Sequence, residues 1–166
     1  MSKKSFWIGY LTGVLLAAGC VLFYSHLMNA EDIQPVEVVH QLSLTDLEGK
    51  AFDLSETSGK PIIVNFWATW CKPCIKEFPH FQEARKKHNE VVVVVISDEP
   101  IEKLRSFKEE FGYDFIFLHS KNRLATHGIN SIPLSYFYKA KGAYAFSISG
   151  SMEEEEVISN IERITQ

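Results

Sequence analysis

NFWATWCKPCIKEFP, residues 65–79, sets two cysteines three positions apart, behind an aromatic run and ahead of a segment with helical spacing. Two continuous apolar runs of strand length flank it, PIIVNFWA at 61–68 and VVVVVI at 91–96, the pattern of strands covered on both faces. Between them Cys74, Phe78, Phe81 and Arg85 recur at helical intervals, and Pro79 inside that run predicts a kink. The unit reads as strand, helix, strand, with Cys71 at the carboxyl end of a central strand, where α/β sheets collect their chemistry.

The pattern continues outward. VEVVHQLSLTDLEGKAFDLSE, residues 36–56, alternates up to Leu44, turns over 46–50 with Gly49, and resumes over 51–54, which predicts an N-terminal β-hairpin. Pro100 opens a second helix, with Asp98 nearby to cap it, an apolar stripe of Ile101, Leu104, Phe107 and Phe111, and Gly112 at its end. YDFIFLHS is a strand, residues 122–126 are a short helix ended by Gly128, and LSYFYK and AYAFSIS are strands joined by a turn at Lys141 and Gly142. The last helix begins with four acids, Glu153 to Glu156, where the helix dipole favours negative charge, and it buries Val157, Ile158, Ile161 and Ile164. This order predicts an α/β sheet with helices on both faces, its last two strands paired as a hairpin.

The chain of 166 residues is 46% hydrophobic and 13% aromatic, enough for one packed domain with an appendage. Beyond Lys3 and Lys4 it carries 15 basic against 21 acidic residues, with no basic stripe interleaved with aromatics, which argues against a nucleic-acid partner. Residues 6–24, FWIGYLTGVLLAAGCVLFY, contain no charge and would reach roughly 28 Å as a helix, close to a bilayer's apolar thickness. With Lys3 and Lys4 before it and Glu31 and Asp32 after it, the positive-inside bias puts residues 1–5 in the cytoplasm, a membrane anchor at 6–27, a linker at 28–36 and a domain at 37–166 outside. LAAGC ending at Cys20 offers a lipoprotein processing site instead, and MNA before Glu31 a poor signal-cleavage site; the apolar run on to Tyr24 favours the uncut anchor. All three readings export the domain into an oxidising compartment.

Of three cysteines, then, only Cys71 and Cys74 belong to the exported part. A staple between them closes a very short loop and adds little stability, so the value of the pair lies in reactivity. At the start of a helix Cys71 lies near unsatisfied N–H groups and the positive dipole end, which supply thiolate at neutral pH. Cys74, one turn in, acts second, on the mixed disulfide that Cys71 makes with a partner. Lys72 adds positive charge, and Pro73 stiffens the loop where a missing N–H costs least. A metal site needs two more ligands, and the six histidines, at 26, 40, 80, 88, 119 and 127, show no HxxxH-type pairing. His80 reads as packing, and His88 and His127 as partners of helix C-termini. A cysteine peroxidase would want a lone peroxidatic cysteine with its resolving thiol elsewhere.

VNFWATWCKPCIKEFP, preceded by LTDLEGKAFDLSETSGKPII and followed by GINSIP and a β-hairpin, resembles the membrane-anchored thiol–disulfide oxidoreductases of the TlpA/ResA group in the thioredoxin superfamily. The resemblance runs from about residue 37 to the C-terminus. It implies a thioredoxin-like three-layer α/β/α sandwich with a mixed sheet, disulfide exchange at Cys71 and Cys74, and a cis peptide between Ile132 and Pro133. Partner backbone is expected to meet Trp70, Lys72, Pro73, Ile132 and Pro133. It further implies reduction of disulfide-bearing exported proteins, apocytochrome c among them, with electrons from an integral membrane thiol carrier and no cofactor. Two departures stand out. Many members read Thr-Pro-Thr-Thr where this chain has SIPLSYFY, so partner contacts differ there. Thioredoxin itself has a buried aspartate at the place of Asn65, which cannot take a proton. ResA-like relatives carry a glutamate at the place of Glu77, on the helix face of Cys74, so the carboxylate is expected there; the alternative is a solvated helix glutamate. A binding or chaperone module with incidental cysteines, or a metal-binding CxxC protein, remains the competing reading.

Overall fold

The computed structural model describes residues 7, 10, 12–21, 35–57 and 59–166. Residues 12–21 are helical, and among the described residues no helix is long and apolar enough to cross a membrane. Much of the expected anchor at 6–27, and all but the last two residues of the expected linker, lie outside the described residues. The chain divides into two compact units, 1–34 and 35–166, and the second holds the sheet.

Six strands form one mixed sheet in the order β1-β4-β3-β2-β5-β6. Its centre is β2 (Ile62–Phe66), every residue of which is buried, lying parallel to β3 (Val92–Ser97) and antiparallel to β5 (Leu134–Tyr138). β4 (Ile116–Ser120) extends the parallel part, and β1 (Leu44–Thr45) and β6 (Tyr144–Ser149) close the two edges antiparallel. α2 (Lys72–Lys87) joins β2 to β3, and α3 (Ile101–Phe111) joins β3 to β4. Two right-handed crossovers moving the same way along a sheet fall on the same face. Phe78, Phe81, Leu104 and Phe107 accordingly share one core, with Val157, Ile161 and Ile164 of α4 (Glu154–Thr165). The opposite face is covered by Val38 and Val39 of α1 (Pro35–Gln41), by Leu42 just after it and by Leu124, in the short 3-10 helix Leu124–His127.

The first core is aromatic. Trp67 lies 4.6 Å from Phe107 and 5.0 Å from Phe78 between ring centroids, and Phe78 meets Tyr113 and Phe115 at 5.5 Å each, mostly tilted or edge-to-face. Period-two alternation along β2 turns Ile63, Asn65 and Trp67 toward this side and Ile62, Val64 and Phe66 toward the other. Asn65 thereby enters an otherwise apolar layer under α2.

The N-terminal β-hairpin is much shorter than expected, with the Phe52 N–H bonded to the Leu44 carbonyl at 3.0 Å and the Asp46 N–H to the Lys50 carbonyl at 2.9 Å. Residues 35–41 are helical, because Pro35 suits a first helical position and Val38 and Leu42 bury together at helical spacing; the alternation from Glu37 to Leu44 is what suggested a strand. Of the second strand only a bridge between Ala51 and Thr45 remains, and Leu54–Thr57 turns as a 3-10 helix. The turn itself stands, with Asp46 Oδ1 accepting from the Glu48 and Lys50 N–H groups and Gly49 at φ +84°. Asp98 does not cap α3; it accepts from the Leu124 N–H at 3.0 Å. α2 runs on through Pro79 without interruption. Gly112 and Gly128 end their helices in the left-handed conformation, and Glu153 starts α4 through a capping box with Glu156.

Phe78→Ala would empty the centre of the aromatic layer, and its expected cost is about 3–5 kcal/mol. Urea unfolding monitored by tryptophan fluorescence measures it; a loss below about 1 kcal/mol would mean that the layer collapses freely around the gap.

Candidate active site

β2 ends at Phe66, and the Trp67 N–H still bonds to the Ile96 carbonyl at 3.1 Å, so the chain leaves the sheet beside the end of β3. The Cys71 N–H returns to the Ala68 carbonyl at 3.0 Å, and α2 begins with Cys71 as its N-cap. Cys71 and Cys74 are joined in a disulfide with Cα atoms 5.3 Å apart. The Cys74 N–H points at Cys71 Sγ from 3.3 Å. After reduction that donor and the helix terminus stabilise a thiolate at Cys71. Cys71 is 4% exposed and Cys74 fully buried, whereas Trp70 is 70% exposed and Lys72 and Pro73 face solvent. The first sulfur is therefore the one a partner reaches. Pro73 occupies the second helical position, where its missing N–H costs no helical bond.

Ile132–Pro133 is a cis peptide, with Pro133 buried and its carbonyl accepting from the Gly150 N–H at 2.9 Å. Leu134, next after Pro133, pairs with Phe66, the last residue of β2, so the cis-proline loop and the cysteine loop lie at the same end of the sheet.

Glu77 is 1% exposed. Its Oε1 accepts from Asn65 Nδ2 at 2.7 Å and its Oε2 from the Met152 N–H at 3.1 Å. Burial pushes its carboxyl up to about 7, against the opposing pull of the Met152 and then the Asn65 hydrogen bond. The acid one turn beyond Cys74 is thus half protonated near neutral pH, the condition for a group that both takes and returns a proton. Asn65 Nδ2 also donates to Ser135 Oγ at 2.9 Å, while Asn65 Oδ1 has no partner.

Glu99, which no sequence motif marks, lies two residues past the carboxyl end of β3. Its two carboxylate oxygens accept from the Thr69 N–H at 2.5 Å and the Thr69 hydroxyl at 3.0 Å, which fixes the loop two residues before Cys71. Lys103 Nζ lies 3.5 Å from the same carboxylate. Ser135 and the Met152 N–H were also missed. A lone serine within the apolar strand LSYFY was the available hint; a backbone donor leaves none. Among the described residues no cluster of three His, Cys, Asp or Glu side chains is arranged to hold a metal ion.

Comparison with known proteins agrees with this geometry. Residues 29–132 match the Redoxin family. The chain belongs to that family. It is 30% identical over 154 residues to the thiol-disulfide oxidoreductase ResA of Bacillus anthracis, covering 90% of this chain and 89% of the relative. To ResA of Bacillus subtilis it is 29% identical over 166 residues, covering 93% and 92%. The fold matches the crystal structure of StoA from Bacillus subtilis with a TM-score of 0.57 at 25% identity, over 72% of this chain and 92% of that one. A secreted Mycobacterium tuberculosis disulfide oxidoreductase matches with a TM-score of 0.64 at 22% identity, over 76% and 98%, which bears on the fold alone. With its CxxC pair, this Redoxin-family chain is a thiol–disulfide oxidoreductase of the ResA type on a thioredoxin-like α/β fold with a mixed sheet.

The raised carboxyl of Glu77 fixes the sign of a stability effect. Folded Glu77 holds its proton up to about pH 7 and the unfolded side chain only to 4.5, so its contribution is full below about 4.5 and is lost as pH rises through 7. Glu77→Gln removes that dependence. The stability difference between wild type and variant, from denaturant titrations at a series of pH values, should move against the wild type across this window; a flat difference would put Glu77 in water.

Proposed function

We propose that this chain is a membrane-tethered reductant of disulfides in specific exported proteins, working on the extracytoplasmic side. The observation that carries the reading is the buried carboxylic acid on the helix face of Cys74. In the reduced form, Cys71 thiolate attacks a partner disulfide, forming one S–S bond to the partner and releasing the partner's other sulfur as a thiolate. Glu77 then takes the proton of Cys74, whose thiolate attacks Cys71 Sγ. The mixed disulfide breaks, the partner's second thiolate leaves, and the Cys71–Cys74 disulfide forms; two electrons have passed to the partner. A base beside Cys74 accelerates the step that releases reduced partner, which favours the reductive direction.

Cysteine-bearing apocytochrome c is the substrate that the resemblance to ResA suggests, and an integral membrane thiol carrier is the source of electrons. Partner backbone meets Trp70, Lys72, Pro73, Ile132 and Pro133. The uncharged run at 6–24, with lysines before it and acids after it, supports a single-pass anchor with the domain outside.

Cys74→Ser keeps the attacking sulfur and removes the resolving one, so it should accumulate mixed disulfides with partners, while Cys71→Ser should accumulate almost none. Non-reducing gels and mass spectrometry of the trapped species check both the order and the partners. Equal trapping would reject the order, and trapping by neither would favour a binding module with incidental cysteines.

Topology has its own measurement. In intact cells treated with a mild reductant, a membrane-impermeant maleimide should label Cys71. Labelling that appears only after lysis would place the domain in the cytoplasm.

A further inference from the structure

Asn65, Ser135 and Glu77 form a closed polar cluster inside the aromatic core, at 0%, 0% and 1% exposure. Asn65 Nδ2 spends both of its hydrogens, on Glu77 Oε1 at 2.7 Å and on Ser135 Oγ at 2.9 Å. Its other end, Oδ1, is buried without a partner. An orphaned buried acceptor is costly, and a fixed asparagine that only donates would favour the carboxylate alone, in opposition to the burial that favours the acid. The amide has a second orientation of nearly the same shape. Its two ends differ in that one presents two donors and the other two acceptor lone pairs, and a serine hydroxyl can serve as either.

We propose that Asn65 and Ser135 are a positioning pair that follows the proton on Glu77 by a half-turn of the Asn65 amide. With Glu77 ionised, Nδ2 donates to Oε1 and to Ser135 Oγ, as described. When Glu77 takes the proton of Cys74, the amide turns, and Oδ1 accepts from the new Glu77 O–H and from the Ser135 O–H. Two hydrogen bonds are kept in each state, and only the idle end of the amide changes. No covalent bond changes within the cluster; the proton lost by Cys74 is the one gained by Glu77. Glu77 is thus spared a clash between its new O–H and an N–H already aimed at it. This rests on the proposed role of Glu77 as the base for Cys74.

The groups facing Glu77 are few. β2 contributes Asn65 and β5 contributes Ser135, the segment before α4 contributes the Met152 N–H, and α2 carries Cys74 and His80 within three residues of Glu77, with Cys71 at its N-cap. His80 turns toward Glu153 at 3.5 Å. In the oxidised protein the cysteines are bonded to each other and do not titrate.

The oxidised full chain in detergent micelles, with labelled asparagine and glutamate side chains, gives the direct measurement by NMR. As Glu77 protonates, the contacts of the Asn65 Nδ2 hydrogens with Ser135 and Glu77 should vanish, following the Glu77 carboxyl shift point for point. In Glu77→Gln they should not respond to pH, and a response there would overturn the coupling. Contacts that persist through the Glu77 titration in the wild type would also overturn it. This readout needs no turnover, so it stands or falls separately from the direction of electron flow.

Kinetics supplies the second arm. Ser135→Ala leaves one amide donor or acceptor unmatched in each state and should slow release of a trapped mixed disulfide about fivefold, the scale of one net hydrogen bond. It should leave the first attack by Cys71 unchanged, and Ser135→Thr, which keeps the hydroxyl, should restore the release rate. Equal rates for all three would show that Ser135 takes no part.

Discussion

A carboxylate that is almost entirely out of water ties the structure together. Glu77 is held by a side chain from the central strand and a backbone N–H from the segment leading into α4, so β2, α2 and the β6–α4 connection converge on one pair of oxygens. Burial of such a group costs several kcal/mol unless it is hydrogen-bonded or neutralised. Here both remedies are in play, two hydrogen bonds and a raised proton affinity. The helix that carries the cysteines is thereby locked to the sheet beneath it at the position where a proton must be exchanged.

The apolar surroundings do the complementary part. Trp67, Phe78, Phe107, Phe115 and Phe117 form a continuous aromatic layer under α2 and α3, and this layer excludes the water that would otherwise return Glu77 to an ordinary carboxyl. The loop ahead of Cys71 is fixed separately, by Glu99 reaching across from the end of β3 to Thr69. One acid anchors the approach to the disulfide and another lies one helical turn beyond its inner sulfur. Their environments differ as their tasks do: the first holds donors of the loop backbone and side chain at the rim, the second sits in the core.

Chemical asymmetry between the two sulfurs follows from helix geometry. Cys71 occupies the cap, with the Cys74 N–H directed at its sulfur and the exposed Trp70, Lys72 and Pro73 around it; Cys74 lies inside the first turn. A partner meets the first, and only an intramolecular attack can use the second. The Ile132–Pro133 loop faces this junction from β5, whose next inward residue is Ser135. The cis-proline loop and Ser135 thus lie at the same end of one strand.

The sequence by itself determined the redox pair, the strands from the apolar runs at 61–68 and 91–96, the last helix from its acidic start, and the resemblance to the ResA group. Each is a local pattern of spacing or composition, which is why each could be read without coordinates. Residues 37–41 were read as part of a strand because an alternating pattern and helical spacing both fit so short a stretch, and burial of Val38, Val39 and Leu42 against the sheet settled the conflict for the helix. Glu77 could be named but not placed, since a glutamate three residues after a cysteine is equally compatible with water and with the core. Only the tertiary structure brought Asn65, Ser135 and the Met152 N–H onto it from positions 12, 58 and 75 residues away, Ser135 through its pairing with Asn65 across β2 and β5. Proton affinity is a property of that assembled environment, of desolvation and donors gathered from distant segments, and no single stretch of chain encodes it.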